Sequence, residues 1–233
     1  MTDTPRLFRD VLPSTLDAVS RGGIAASQAA LPPSVRALHR VVLRAFLRTG
    51  EPPSRHDLAA FARDLSLVPD EAIGVLADAD LMHTSPVDGR VSIAYPLSGS
   101  RSPHHVRLGD GPVLSAMCAI DALGIPSMTA SAGVIESRDP ATGERIRIEH
   151  TAPGWRWEPA TAVVVLATDA CSGRIADACL TTAFHADVTT AADALSCLDT
   201  GRVLTQAEAI AMAEAEFGPL LREDGFKPNA CHY

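Results

Sequence analysis

The sequence predicts an α+β protein in two parts: a small helical domain and a larger domain of mainly antiparallel strands with flanking helices. Two observations support this prediction. Apolar residues recur at helical spacing between Pro33 and Leu81, and short alternating or β-branched runs between turn residues dominate the second half. Because 46% of the 233 residues are hydrophobic but only 4% are aromatic, the core must be mainly aliphatic.

Composition divides the chain into four stretches. Residues 1–30 are poor in large apolar side chains and contain a glycine pair, which indicates a loosely attached N-terminal arm. Residues 31–97 are predicted to form a winged-helix-like domain. The serine-, glycine- and proline-rich stretch 98–105 is the predicted linker, and 106–233 form the larger domain.

Three helices and a hairpin are predicted in the smaller domain. The first helix begins at Pro33 and is ended by Gly50, with apolar side chains on one face. The second helix begins near Ser54 and the third near Pro69. Residues 82–95 then carry an Asp-Gly pair between two short strands, which is typical of a hairpin. This order predicts the winged-helix pattern.

The larger domain is predicted to begin with a helix from Pro112 to Leu123, because Gly124 and Pro126 are expected to stop it. The other predicted elements are a hairpin of strands at 127–137 and 144–151, strands at 161–168 and 181–186, and helices at 190–199 and 205–217.

Charge and cysteine content exclude several classes of function. A formal charge of −8 argues against a dedicated nucleic-acid or anionic-membrane binder, because both need a basic surface. No apolar stretch approaches the ~20 residues of a membrane span. The first ten residues lack an apolar signal core, so a cytoplasmic protein is expected. In that reducing compartment the five scattered cysteines should be free thiols.

Cys118 and Asp121 are the most informative pair of residues. On one helix their Cβ atoms would lie roughly 5–6 Å apart on a shared face. Cys179, about sixty positions later, would complete a Cys–Asp–Cys cluster suited to a soft, thiophilic metal. The spacing does not fit a structural zinc site. The competing interpretation of each cysteine is a small buried hydrophobe, whereas an aspartate among apolar neighbours must be exposed, paired or functional.

The segment MCAIDALGIP at 117–126 resembles the organomercurial (alkylmercury) lyase family, whose motif is a cysteine, two apolar residues, an aspartate and then a proline. The second family cysteine precedes a short strand and a helix, as Cys179 does in the segment 179–193. The resemblance extends from about Pro112 to Phe217. Met117 and Leu180 depart from the pattern of some members, but the three reacting groups are present.

This resemblance implies an enzyme of mercury detoxification that cleaves carbon–mercury bonds by protonolysis, giving a hydrocarbon and Hg(II). It implies that Cys118, Asp121 and Cys179 are the catalytic residues and the ligands of the product Hg(II). The expected substrate is a small organomercurial, with no organic cofactor or resident metal. External thiols or a mercuric reductase would accept the Hg(II), and neither a specific nucleic acid nor a membrane is an expected partner.

Three other interpretations stay open at this point. The chain could be a non-catalytic thiol-based metal binder, a metal-responsive winged-helix regulator, or a family member that acts on another substrate. The regulator is disfavoured because the predicted third helix, PDEAIGVLADAD, carries four carboxylates and neither lysine nor arginine. The helical domain is therefore expected to be a scaffold that covers the larger domain.

The remaining cysteines are predicted to lie outside the cluster: Cys197 in the core, Cys171 in a loop and Cys231 in a mobile terminal tail.

The histidines nearest to the motif are also metal-ligand types. His104 and His105 are expected in a solvated linker, and His185 on the face of a sheet.

Overall fold

The computed structural model describes residues 23–167, 179–198 and 200–222. Within these ranges helices and antiparallel sheets are combined, which confirms the mixed α and β character predicted from the sequence. The winged-helix identity of the N-terminal part and the domain boundaries stay predictions. None of the helices in the described ranges has the long apolar run that crossing a bilayer requires.

The helices of the N-terminal part begin and end where local signals predict. Helix α1 spans Ile24–Ala30, α2 Pro33–Thr49, α3 Arg55–Asp64 and α4 Pro69–Asp78. Proline occupies the first position of α2, and Gly50 ends it in the left-handed conformation with φ of 73°. Helix α3 starts in a capping box in which Ser54 and Asp57 each satisfy the other's backbone amide.

Three short strands follow these helices: β1 (Met82–Thr84), β2 (Val91–Ala94) and β3 (Leu97–Ser98). They form an antiparallel sheet in the order β1–β2–β3, and the connection between β1 and β2 contains the predicted Asp-Gly turn. The predicted hairpin is therefore confirmed, with a third strand added at its edge.

The end of the predicted arm packs against the C-terminus of the described chain. The Ile24 amide donates to Glu216 Oε2 at 2.7 Å, and Gln28 Nε2 donates to the Leu220 carbonyl at 3.1 Å. Residues 24–30 are thus a docked helix rather than a loose segment. The rest of the predicted arm lies outside the described residues.

The larger part contains two antiparallel sheets. The five-stranded sheet has the order β5–β4–β6–β7–β8 and the three-stranded sheet the order β10–β9–β11. Two helices, α6 (Val188–Leu195) and α7 (Gln206–Phe217), lie close to their predicted positions. The strands are β4 (His105–Leu108), β5 (Val113–Ser115), β6 (Gly133–Arg138), β7 (Arg145–Thr151), β8 (Gly154–Glu158), β9 (Val163–Ala167), β10 (Ala183–His185) and β11 (Gly201–Leu204).

The helix predicted from Pro112 to Leu123 was placed wrongly. Residues 113–115 form strand β5, and helix α5 spans Ala119–Thr129, continuing through Gly124 and Pro126. Nine of its eleven residues are buried. Tertiary packing therefore outweighs the local tendency of glycine and proline to end a helix, which is worth only a few kcal/mol.

Helix α5 crosses α7 at a close approach that requires glycine. A Cβ atom added to Gly124 would lie 2.1 Å from Cδ2 and 3.0 Å from Cβ of Phe217, whose side chain is buried. Rotation of the ring could relieve the contact with Cδ2, but Cβ of Phe217 is fixed to the backbone, so the 3.0 Å contact remains unless α7 moves. This contact sets the distance between the two helices and therefore the position of the first turn of α5.

We predict that Gly124→Ala lowers the free energy of unfolding by about 1–3 kcal/mol, because overpacking outweighs the better helix propensity of alanine. Urea denaturation measures this change. The matched control is Gly74→Ala in α4, where an added Cβ meets nothing within 4 Å. That substitution should stabilise the protein by about 0.5–1 kcal/mol. Equal effects of the two substitutions would contradict the proposed close approach.

Candidate active site

Cys118 lies immediately before helix α5. It is the N-cap residue, with an extended backbone, and its carbonyl accepts from the amide of Ala122 at 2.9 Å. The sequence predicted a cysteine and an aspartate on one helix face, whereas Cys118 caps the helix and Asp121 is the third residue of its first turn. The spacing still joins their side chains, because Cys118 Sγ donates to Asp121 Oδ2 at 2.7 Å.

The segment that follows Cys179 is tied to the same helix end. The amide of Ala119, at the first position of α5, donates to the Thr182 carbonyl at 3.3 Å. The hydroxyl of Thr182 accepts from the Ala167 amide at the end of β9, at 3.2 Å. One backbone contact therefore satisfies an unpaired amide of the helix and holds the Cys179 segment beside it.

The two cysteines and the aspartate form one buried cluster. Cys179 Sγ lies 3.5 Å from Asp121 Oδ2, the oxygen that Cys118 also contacts. One ligand atom from each of the three residues lies within 4.8 Å of the others. Cys118 is 3% exposed, Asp121 2% and Cys179 8%. Two sulfurs and one oxygen at these separations can bind a single soft metal ion.

Asp139 anchors strand β10 from outside the cluster. It lies in the turn between β6 and β7, where its Oδ1 accepts from the amides of Ala141 and Thr142. Its Oδ2 accepts from the Ala186 amide and the Thr190 hydroxyl, both at 2.8 Å. Burial raises the pKa of Asp139, but these hydrogen bonds outweigh it and hold the pKa below its usual value. The charged carboxylate thus fixes the segment that follows Cys179.

Burial dominates the protonation of the cluster. It raises the pKa of Asp121 to about 7, although hydrogen bonds from Cys118 and Cys179 lower it, and Glu216 adds a smaller repulsion. Burial also raises the pKa of the Cys118 thiol well above its usual value. A hydrogen bond with Cys118 lowers the pKa of Cys179, but burial and Asp121 raise it overall. The positive end of α5 favours anions by about 1 kcal/mol, which is too little to reverse these directions.

Tyr95 belongs to the same core cluster as Cys118 and Cys179, and it was not among the predicted site residues. It is fully buried, and its hydroxyl has no hydrogen-bond partner among the described residues. The sequence interpretation placed it at the end of the β1–β2 hairpin. The available signal was its rarity, because the chain contains only two tyrosines.

The structure corrects the predicted position of one of the remaining cysteines. Cys197 is exposed, so the prediction of a core position was wrong; it lies in the turn after α6 rather than on its buried face. Cys171 and Cys231 lie outside the described residues.

His104 was predicted to be solvated but is buried, since its Nδ1 pairs with Ser137 Oγ at 2.9 Å and its ring packs edge-on against Phe184. His105 is exposed at the start of β4, and His185 lies on β10, on a sheet as predicted. Burial lowers the pKa of His104 to about 4, so this ring is neutral. Across the described ranges, no histidine belongs to a group of three or more possible metal ligands.

Comparison with known proteins gives matches of two kinds, to a family model and to solved structures. Residues 97–218, more than half of the chain, match the family model described as alkylmercury lyase. A crystal structure of the mercury-bound form of MerB2 is similar with a TM-score of 0.71 and 19% sequence identity, over 89% of this chain and 98% of that chain. At this identity the structural likeness supports a shared fold. None of the curated proteins matches the sequence.

We predict that Asp121→Asn stabilises the protein at neutral pH. Since the pKa of Asp121 rises from 3.8 to about 7 on folding, the folded state keeps a proton that the unfolded chain loses. The stability that this proton contributes to the wild type is fully present below about pH 4 and is lost as the pH rises through about 7. Between about pH 4 and pH 7 the free energy of unfolding of the variant should therefore rise relative to that of the wild type, by up to about 4 kcal/mol. Urea denaturation at several pH values measures this gain in the free energy of unfolding. A difference between the variant and the wild type that does not change with pH would contradict the raised pKa of the buried Asp121 carboxyl.

Proposed function

This chain belongs to the alkylmercury lyase family, and from that premise we propose how its buried cysteines and aspartate cleave a carbon–mercury bond. Its activity is that of an organomercurial lyase. The observation that carries the proposal is the cluster of two thiols around one carboxylate oxygen, all within 4.8 Å. Incubation of the pure protein with an organomercurial and excess soluble thiol, followed by assays for hydrocarbon and Hg(II), tests it.

The first step is capture of the substrate R–Hg–X by sulfur. One of the two cysteines transfers its proton to Asp121 Oδ2, the oxygen that both thiols contact, and attacks mercury as a thiolate. A sulfur–mercury bond forms and X leaves with its electron pair. The raised pKa of Asp121, about 7, supports this role, because the carboxyl can accept and return a proton near neutral pH.

The second step is protonolysis of the carbon–mercury bond. The other thiol binds mercury as its proton passes to the displaced X, and donation from two sulfurs increases electron density on the carbon. Asp121 delivers its proton to that carbon, so a carbon–hydrogen bond forms as the carbon–mercury bond breaks. Of the two thiol protons, one ends in R–H and the other leaves with X. Positioned proton transfer of this kind contributes ~10²–10⁴-fold to the rate.

The product is Hg(II) held by Cys118 and Cys179, with Asp121 as a weaker oxygen ligand. Soluble thiols or a partner mercuric reductase remove it, because only another soft donor competes well with two sulfurs. The proposal uses side chains alone, with no organic cofactor and no resident metal.

Specific DNA binding is not part of this function. Helix α4 carries Asp70, Glu71 and Asp78, with no basic residue in its last turn, and Asp70 pairs with Arg55 on α3. Carboxylates on this helix would oppose phosphate rather than neutralise it. The N-terminal helices instead supply cover for the larger part, through contacts such as that between Gln28 and Leu220.

We predict that Cys118→Ser and Cys179→Ser each remove nearly all release of hydrocarbon. The double variant should be little worse than either single one, because residues that share one step are not additive. Cys197→Ser, which changes the exposed cysteine, is the matched control and should keep most of the activity. Wild-type turnover by Cys179→Ser would exclude Cys179 as the second sulfur donor.

Asp121→Asn should separate capture from cleavage. The amide keeps the size of the carboxyl and the two sulfurs remain, so the variant should bind an organomercurial stoichiometrically. It should release hydrocarbon at least about a hundredfold more slowly, because the proton carrier is missing. Single-turnover assays measure both quantities on one sample. Equal loss of capture and cleavage would make Asp121 a support for the cysteines rather than the proton donor.

A further inference from the structure

Tyr95 lies beside the segment that leads into Cys118. The carbonyl of the next residue, Pro96, accepts from the Met117 amide at 3.3 Å, and Leu97 pairs with Ala116 in an antiparallel bridge. The amide of Tyr95 itself donates to the Leu81 carbonyl at 3.2 Å. Its backbone is therefore fixed between the β1–β3 sheet and the residues immediately before the cluster.

The hydroxyl of Tyr95 is a buried donor that packing alone does not explain. The residue is fully buried and its Oη has no partner among the described residues. Burial raises the pKa of Tyr95, and the nearby Cys179, Asp80, Asp121 and Cys118 raise it further, so the phenol keeps its proton. Phenylalanine would fill the same space without burying an unpaired hydroxyl. Asp80 already pairs with His83 through its Oδ1, so the hydroxyl of Tyr95 is best explained by a partner in the cluster.

Asp121 offers the matching acceptor. Its Oδ2 accepts from both thiols, whereas its Oδ1 is buried and has no partner in the described part of the chain. The unpaired donor and the unpaired acceptor are both buried, and Tyr95 belongs to the same core cluster as Cys118 and Cys179. A carboxylate oxygen is also a stronger acceptor than a cysteine sulfur, which favours Asp121 over Cys179 as the partner.

We propose that Tyr95 is a positioning residue that donates a hydrogen bond to Asp121 Oδ1 through one water molecule. This inference rests on the proposed function, in which Asp121 Oδ2 carries the proton. A hydrogen bond on Oδ1 prevents the carboxyl from rotating and keeps Oδ2 directed at the two sulfurs. The proton then stays on the oxygen that faces the bound mercury and its carbon.

Tyr95→Phe tests the proposal, because it removes only the hydroxyl. The rate of hydrocarbon release in a single turnover should fall about tenfold or more, whereas capture of the organomercurial and affinity for Hg(II) should stay within about twofold of wild type. Ser98→Ala, on the neighbouring β3, removes a buried hydroxyl that donates to the Ser100 carbonyl, and it should leave all three quantities unchanged. Equal loss of capture and cleavage, or no loss, would overturn the proposal.

Infrared spectroscopy provides a readout that does not depend on turnover. At about pH 5, below the pKa of about 7, Asp121 is protonated and its C=O band can be assigned by its loss in Asp121→Asn. This band should shift to higher wavenumber in Tyr95→Phe and stay in place in Ser98→Ala. An unshifted band in Tyr95→Phe would refute the hydrogen bond. A wild-type protein that released no hydrocarbon would instead contradict the proposed function and leave this test valid.

Discussion

Burial of the Asp121 carboxyl against two thiols costs free energy that the surrounding fold must supply. The group is only 2% exposed, and the acidic side chain of Glu216 adds repulsion rather than compensation. Hydrogen bonds from Cys118 and Cys179 offset part of this cost, since a carboxyl buried without partners would cost several kcal/mol. A sequence selected for stability alone would place an apolar residue at this position. The aspartate is therefore best understood through the chemistry that it makes available.

The fold holds this cluster through contacts that come from distant parts of the chain. Helix α5 is located by its crossing with α7 at Gly124, and its first amide binds the carbonyl of Thr182. Asp139, in a hairpin turn of the five-stranded sheet, fixes the other end of the same segment through Ala186 and Thr190. Cys118 and Cys179 are thus placed by two independent sets of contacts, and neither set uses the cysteine side chains. Mercury can bind to the sulfurs without loss of the contacts that position them.

Cap residues in the sequence correctly predicted the ends of helices in the N-terminal part. Helices α2 and α3 follow their caps, at Gly50 and Ser54, because no tertiary contact opposes them. The predicted position of helix α5 was wrong because the helix is buried on nearly all sides. This burial outweighs the tendency of Gly124 and Pro126 to end a helix. Strand β8 was missed since only Trp157 of its five residues is buried, which gives a weak alternating pattern. His104 was misjudged because its partner, Ser137, is 33 residues away.

The site also combines a contact that follows from local sequence spacing with contacts that depend on the complete fold. The contact between Cys118 and Asp121 follows from a spacing of three residues, even though Cys118 caps the helix instead of lying within it. Cys179 is 58 residues from Asp121, and no local pattern predicts that contact; only the family resemblance did. Tyr95 is contributed by the N-terminal part and carries no motif. Long-range contacts of this kind depend on the packing of several elements together, which the sequence specifies only through the complete fold.

The protonation of the resting site connects this burial to catalysis. Because the pKa of both cysteines is raised, the thiols keep their protons at neutral pH, whereas Asp121, with a pKa of about 7, is available as a carboxylate to accept one. A thiophilic cation reverses this balance, since a sulfur–mercury bond replaces a sulfur–hydrogen bond and releases the proton to the adjacent carboxyl. In the proposed mechanism, that proton is the one delivered to carbon. The low polarity of the site therefore keeps the thiol protons in place until mercury binds, and Asp121 Oδ2, which both thiols contact, is positioned to receive one of them.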